Sequence, residues 1–258
     1  MIKAAFFDID GTLLSFRSHR VSPGTLRAFD RLHRQGILTF ISSGRPKILI
    51  PAMPVSFSGL ITMNGALVLG SDGRHLLSNP IPQADTERWI DYARDNNICT
   101  MLFTADGMLA SQINDTGLAL RSQLEFQLPP IVDIECLRGA EAYQIIALMP
   151  PTCDADVAAF LPHCRLPRWH DLFTDIVADG NSKARGMDVL CRHFGIRQEE
   201  TIAFGDGAND IEMLRWAGIG VAMGNAAPTV KEAADFITAD VDNEGIEQAI
   251  NTLLHESD

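Results

Sequence analysis

Positive charge is scarce in this 258-residue chain: Lys and Arg number 21 against 33 Asp and Glu, a formal net charge of −12. A surface of that sign repels phosphate backbones and anionic lipid, which argues against nucleic acid and membrane surfaces as partners. No uncharged apolar segment approaches the ~20 residues of a membrane span. The cysteines, Cys99, Cys136, Cys153, Cys164 and Cys191, are odd in number and include no Cys-x-x-Cys pair. Scattered, reduced thiols are therefore expected rather than a disulfide frame or a zinc knot. The first apolar run meets Asp8 too early to be the core of a secretory signal, and a cytoplasmic location is expected. Internal repeats and low-complexity tracts are absent as well.

What the chain does have is a globular composition, 46% hydrophobic and 21% charged, with an α/β rhythm at both ends. Residues 2–9 are almost continuously apolar and run into Gly11, as suits a strand buried on both faces of a parallel sheet. Ser22-Pro23 predicts a helix start, with apolar positions at helical spacing until Gly36. Residues 37–41 form a second buried strand ending in Ser42-Ser43-Gly44-Arg45-Pro46. Another apolar run, 59–68, is broken by Asn64-Gly65.

The texture changes at Asn79-Pro80-Ile81-Pro82. Beyond it, residues 85–97 and 153–161 read as helices, and 99–103, 131–135, 142–149 and 172–177 as extended segments. The α/β rhythm resumes after Gly180: helix 183–194 closed by Gly195, strand 201–204, a loop and a helix through Trp216, strand 219–223, and helices 228–234 and 244–254. One core domain split by an insertion is the predicted organisation, with residues 1–81 and 182–258 as core and 82–181 as an inserted α+β cap domain.

The polar residues that interrupt this pattern gather where the strands end, the edge at which open parallel sheets bind ligands. Asp8 and Asp10 are two apart on an extended chain and can face one site. Two carboxylates so close repel unless a cation or a proton relieves them, and Mg²⁺ is the usual relief where phosphate is bound. Gly205-Asp206-Gly207-Ala208-Asn209-Asp210 repeats the logic of strand, glycine and acids. On its own, that loop reads equally as the cap of the following helix. Ser43-Gly44-Arg45 offers a hydroxyl, an open backbone N–H and a guanidinium. Lys183 stands at a helix start, where the backbone also favours an anion.

Taken together, Asp8-Ile9-Asp10-Gly11-Thr12-Leu13-Leu14, Ser43-Gly44-Arg45-Pro46, Lys183 and Gly205-Asp206-Gly207-Ala208-Asn209-Asp210 resemble the four ordered motifs of the haloacid dehalogenase (HAD) superfamily. The insertion between the second and third motifs resembles that of the Cof-type subfamily with a large α/β cap, subclass IIB. Ile61-Thr62-Met63-Asn64-Gly65-Ala66 and Val221-Ala222-Met223-Gly224-Asn225-Ala226 are further matches to that subfamily. Two positions depart from the pattern: Ser43 stands where threonine is commoner, and Ala184 follows Lys183 where glycine is usual. Neither removes a functional group.

The resemblance implies a Rossmann-like parallel-sheet core and an aspartyl-phosphate chemistry. Asp8 would be the nucleophile and Asp10 the acid–base residue. Mg²⁺ would be held by the Asp8 carboxylate, the Asp10 backbone carbonyl, Asp206 and Asp210. Ser43, Gly44, Lys183 and Asn209 would hold the phosphoryl oxygens, and Arg45 would either join them or brace the nearby acids. The expected substrate is a small phosphate ester; sugar phosphates, pyridoxal phosphate and nucleoside monophosphates are all open, and oligomeric state is not specified. A phosphomutase of the same fold and a non-catalytic metabolite-binding protein are the alternatives. Asn64 is a candidate for substrate or cap contact. Residues 16–20 read as a solvated loop rather than a flap, and His170, beside Trp169, as structural rather than catalytic.

Overall fold

The computed structural model describes residues 1–112, 115–118, 130–168 and 170–254. The chain divides into two compact units. One comprises Met1–Arg45, Leu49–Ser78 and the chain from Ser182 on; the other comprises Pro46–Ile48 and Asn79–Asn181.

The first unit is built on an eight-stranded sheet. Its strands are β1 (Ala4–Phe7), β2 (Leu38–Ser42), β3 (Gly59–Thr62), β4 (Leu67–Gly70), β5 (His75–Ser78), β11 (Thr201–Gly205), β12 (Ile219–Ala222) and β13 (Phe236–Ile237), in the order β13-β12-β11-β1-β2-β3-β4-β5. From β13 to β3 all pairings are parallel. β4 and β5 add to the edge antiparallel. Only Met63-Asn64-Gly65-Ala66 separates β3 from β4, and a parallel crossover needs a dozen residues or more.

Every residue of β1 is fully buried, because both sheet faces are covered. Ala5 and Phe7 point to the face packed by Phe29 of α1 (Pro23–Arg34) and Ile250 of α7 (Gly245–Leu253). Ala4 and Phe6 point to the opposite face, packed by Met187 and Leu190 of α4 (Lys183–Phe194) and Met213 of α5 (Ile211–Trp216). Helix α1 starts where the sequence predicts, with Ser22 Oγ accepting from Thr25 N at 3.1 Å and proline in the first turn. Helix α4 is capped in the same way, Ser182 Oγ accepting from Arg185 N at 3.2 Å, and is closed by Gly195 at φ 66°. Helix α6 (Pro228–Lys231) is one turn long, shorter than expected.

The second unit is a five-stranded antiparallel sheet in the order β7-β6-β8-β10-β9, with β6 (Cys99–Phe103), β7 (Met108–Ala110), β8 (Gln144–Leu148), β9 (Cys164–Arg165) and β10 (Thr174–Ala178). One face of it, with Leu102, Ile145, Ala147 and Ile176, packs against Trp89, Ile90 and Ala93 of α2 (Gln83–Asp95) and Val157 of α3 (Asp154–Phe160). The extended segment expected at 131–135 is instead a single bridge at Ile131 followed by a 3₁₀ turn, Ile134–Leu137. Asp133 explains the difference: its side chain accepts from Glu135 N at 2.9 Å and starts the turn. The apolar Ile131, Val132 and Ile134 imitate a strand in sequence.

Candidate active site

The registers Phe7↔Ile41 and Phe7↔Phe204 make β1, β2 and β11 end nearly level. Asp8, Ser43 and Asp206 therefore sit within a residue or two of one rim, the carboxyl ends of parallel strands. Asp8 continues the ladder, its N–H donating to Phe204 O at 3.0 Å.

Lys183, the first residue of α4, is 0% exposed. Its ammonium donates to Asp8 Oδ1 at 2.6 Å and to Asp210 Oδ1 at 2.5 Å. The other Asp210 oxygen accepts from Asp206 N at 3.0 Å and Gly207 N at 2.9 Å, which folds the loop after β11 around that carboxylate. Asp206 is held at both oxygens, by Thr12 Oγ1 at 3.2 Å and by Asn225 Nδ2 at 2.9 Å. Oxygen atoms of Asp8, Asp206 and Asp210 all lie within 4.8 Å of one another.

Asp10's carboxylate stands apart from that trio. Arg45 grips it with two parallel bonds, Nε to Oδ2 and Nη2 to Oδ1, both 2.7 Å, and also donates from Nη1 to Leu49 O at 2.9 Å. Ser43 is buried, and its Oγ accepts from Arg45 N at 3.1 Å. Asn64, in the left-handed region at φ 53°, donates its N–H to Ser43 O at 3.1 Å and accepts Asn209 Nδ2 at 2.9 Å. A Cβ on Gly44 would lie 3.2 Å from the Asn64 amide and 3.5 Å from Asn209 Nδ2. Ser43, Gly44, Asn64 and Asn209 thus form one polar group, while Asp8, Lys183, Asp206 and Asp210 form another.

The electrostatics of the acidic group are unbalanced. Four carboxylates, Asp8, Asp10, Asp206 and Asp210, face two cations, Lys183 and Arg45. Burial pushes Asp8 up to about 8, and the charges of Asp210 and Asp206 add to that against the pull of Lys183. Burial and Asp210 likewise raise Asp206 to about 6. Burial pulls the Lys183 ammonium down, yet Asp210 and Asp8 hold it above its ordinary value, so it stays charged. One ammonium shared by two carboxylates does not neutralise the cluster. Oxygen donors alone, clustered and short of positive charge, fit a hard divalent cation. Gly11 at φ +79° leaves room for that arrangement: a Cβ there would overlap the Asp206 carboxylate.

A second glycine seats Lys183. Gly65 lies at φ +90°, and a Cβ on it would overlap the carbonyl of Ser182, the residue capping α4. Gly65→Ala should cost about 1–3 kcal/mol from backbone conformation alone, with the clash added. Chemical denaturation checks this, and an unchanged unfolding midpoint would contradict the close approach.

Asn225 and Thr12 stand in segments the sequence marks, but no local signal assigns them to Asp206. His170 stacks on Phe173, ring centroids 5.1 Å apart, and its Nδ1 accepts from Leu172 N at 3.2 Å, a structural use. Trp169 lies outside the described residues. Phe16, in the loop after the first motif, is 63% exposed. Among the described residues no helix is long and apolar enough to cross a membrane.

The sequence profile of the haloacid dehalogenase-like hydrolases matches residues 5–250. The chain belongs to that family. It is 33% identical over 255 residues to YkrA of Bacillus subtilis, a protein named as a phosphatase, covering 97% of each chain. The solved structure of BT1666 from Bacteroides thetaiotaomicron, a HAD phosphatase, superposes with a TM-score of 0.88 at 36% identity, covering 98% of this chain and 95% of that one. BT4131, a HAD subclass IIB sugar phosphatase, superposes with a TM-score of 0.84 at 36% identity, covering 97% and 98%. The likeness to the Cof-type, subclass IIB branch of the HAD enzymes holds along the whole chain, and the protein is a HAD phosphatase.

Proposed function

We propose that this HAD phosphatase is Mg²⁺-dependent, forms an aspartyl-phosphate on Asp8, and hydrolyses a small phosphorylated metabolite of the sugar phosphate class. The observation that carries the reading is the charge deficit around Asp8: its buried carboxylate lies beside Lys183, Asp206 and Asp210 are within ligand distance, and the single ammonium is shared between Asp8 and Asp210. The sugar phosphatase BT4131 supports the substrate class.

Asp8, Asp206, Asp210 and the Asp10 carbonyl would hold the metal. When bound, Mg²⁺ supplies the positive charge that keeps Asp8 ionised and offsets the phosphoryl oxygens. In the first step a carboxylate oxygen of Asp8 attacks phosphorus, the bond to the ester oxygen breaks, and Asp10 gives that oxygen its proton. In the second, water attacks the phosphoryl group, Asp10 takes the water's proton, and Asp8 leaves. Ser43, the Gly44 N–H, Lys183 and Asn209 steady the phosphoryl oxygens through both steps. We assign Arg45 to Asp10, whose carboxylate its fork aims, rather than to phosphate. Residues 82–181 are assigned the part of an inserted cap domain and residues 1–81 and 182–258 that of the catalytic core, in a cytoplasmic enzyme.

A panel of hexose phosphates, pyridoxal phosphate and nucleoside monophosphates tests this. Turnover of at least one sugar phosphate is expected with Mg²⁺, and loss of turnover with a chelator. Undiminished rates in chelator, or no small ester turned over, would overturn it. The same Mg²⁺ has a pH signature. Asp8 and Asp206 have folded values of about 8 and about 6 against 3.8, so the native state holds their protons more tightly than the unfolded chain. Their stability contribution is full below 3.8 and is lost as pH rises through those values. Mg²⁺ binds the ionised forms, so the rise in melting temperature on adding it should grow from about pH 5 to about pH 8. A rise that shrinks over that range would count against these ligands.

A further inference from the structure

Asn225 spends its whole side chain on the acidic cluster's surroundings. It follows β12 in the Val221-Ala222-Met223-Gly224-Asn225-Ala226 segment, which is tied back by Met223 N to Gly205 O and Gly224 N to Ala239 O, both 3.0 Å. Its Oδ1 accepts from Val241 N at 3.1 Å. That bond settles which end of the amide is which, since a backbone N–H can only meet the oxygen. The Nδ2 group is then left facing two acceptors and donates to both, to Gly11 O and to Asp206 Oδ2, each at 2.9 Å.

We propose that Asn225 is a positioning residue for the metal site: its amide clamps the Asp206 carboxylate against the turn that follows Asp10. This rests on the reading of Asp206 as a metal ligand. The clamp acts at two points. On Asp206 it completes a pair, since Thr12 Oγ1 holds Oδ1 at 3.2 Å while Asn225 holds Oδ2. Both donors are neutral, so they fix the carboxylate's rotation without cancelling the charge a cation needs. On the other side it holds the carbonyl of Gly11, the residue at φ +79° whose bare Cα lets the turn approach Asp206. Three loops, after β1, β11 and β12, thereby meet at one carboxylate.

The test measures Mg²⁺ binding to the metal-free protein by titration calorimetry, with no substrate present, in the wild type, Asn225→Ala, Asn225→Asp and Asp206→Asn. Asn225→Asp is nearly isosteric and still accepts from Val241 N, but it cannot donate to Asp206 or Gly11. Both Asn225 variants should bind Mg²⁺ roughly 10–100-fold more weakly. In turnover assays the Mg²⁺ concentration for half-maximal rate should rise by a similar factor, while KM for the ester at saturating Mg²⁺ stays within about 3-fold of wild type. Asp206→Asn should bind no measurable Mg²⁺. If Asp206→Asn loses Mg²⁺ while the folded Asn225 variants keep wild-type affinity and differ only in melting temperature, Asn225 is merely structural and the inference fails. Wild-type affinity in Asp206→Asn would overturn the ligand reading itself, and the inference with it.

Discussion

Asp8→Asn should lower kcat by about 10⁴-fold or more and leave the protein folded. The amide oxygen is a far weaker nucleophile than the carboxylate and cannot carry a stable phosphoryl ester, so the proposed covalent route closes. Folding survives for reasons visible at the site. The substitution hardly changes volume, the Asn oxygen still accepts from Lys183 Nζ, and Lys183 keeps Asp210 at 2.5 Å. Burial and like charge already hold the Asp8 carboxyl up to about 8, so the metal-free site gives up little by exchanging it for a neutral amide. The metal-free variant should therefore melt no lower than the wild type. Steady-state rates at saturating Mg²⁺, paired with melting curves, decide the matter. Turnover near the wild-type rate would remove Asp8 from the nucleophile's role.

Lys183→Met should be costly in both rate and stability. The ammonium is 0% exposed and bonds two carboxylates that are themselves buried. Methionine fills similar space but leaves Asp8 and Asp210 without a counter-charge, an imbalance that costs about 3–5 kcal/mol in buried pairs. The melting temperature should fall by at least about 5 °C. Because the variant leaves Asp8, Asp206 and Asp210 with no cation among them, Mg²⁺ should recover part of the loss, whereas NaCl at matched ionic strength should recover less. Rate should fall as well, since Lys183 is the proposed neutraliser of the phosphoryl oxygens. A variant as stable and as active as the wild type would show the buried ammonium to be dispensable.

The parts of the fold that local pattern governs were legible. The short apolar run at residues 2–9 supplies β1, Ala4–Phe7, which is fully buried because both sheet faces are covered, and Ser22-Pro23 caps a helix because its hydroxyl and its missing N–H suit that position. Where the pattern misled, a competing local rule won. Asp133 turned an apolar stretch into a 3₁₀ turn. Short edge strands such as β13, of two residues, carry no periodicity to read.

Residue order alone determined which chemical groups stand at the ends of buried strands, Asp8 and Asp10, Ser43 and Arg45, Asp206 and Asp210, and that Lys183 stands at a helix start. A strand's period and a glycine's freedom act over a few residues, so those placements are written locally. Who meets whom was decided only by tertiary structure. Lys183 pairs with Asp8 across 175 positions, Arg45 commits its fork to Asp10 across 35, and Asn225 reaches Gly11 across 214. Such partners depend on strand order, on the registers that level three strand ends, and on packing that selects one rotamer among several. Those are properties of the assembled sheet, and no short stretch of chain contains them.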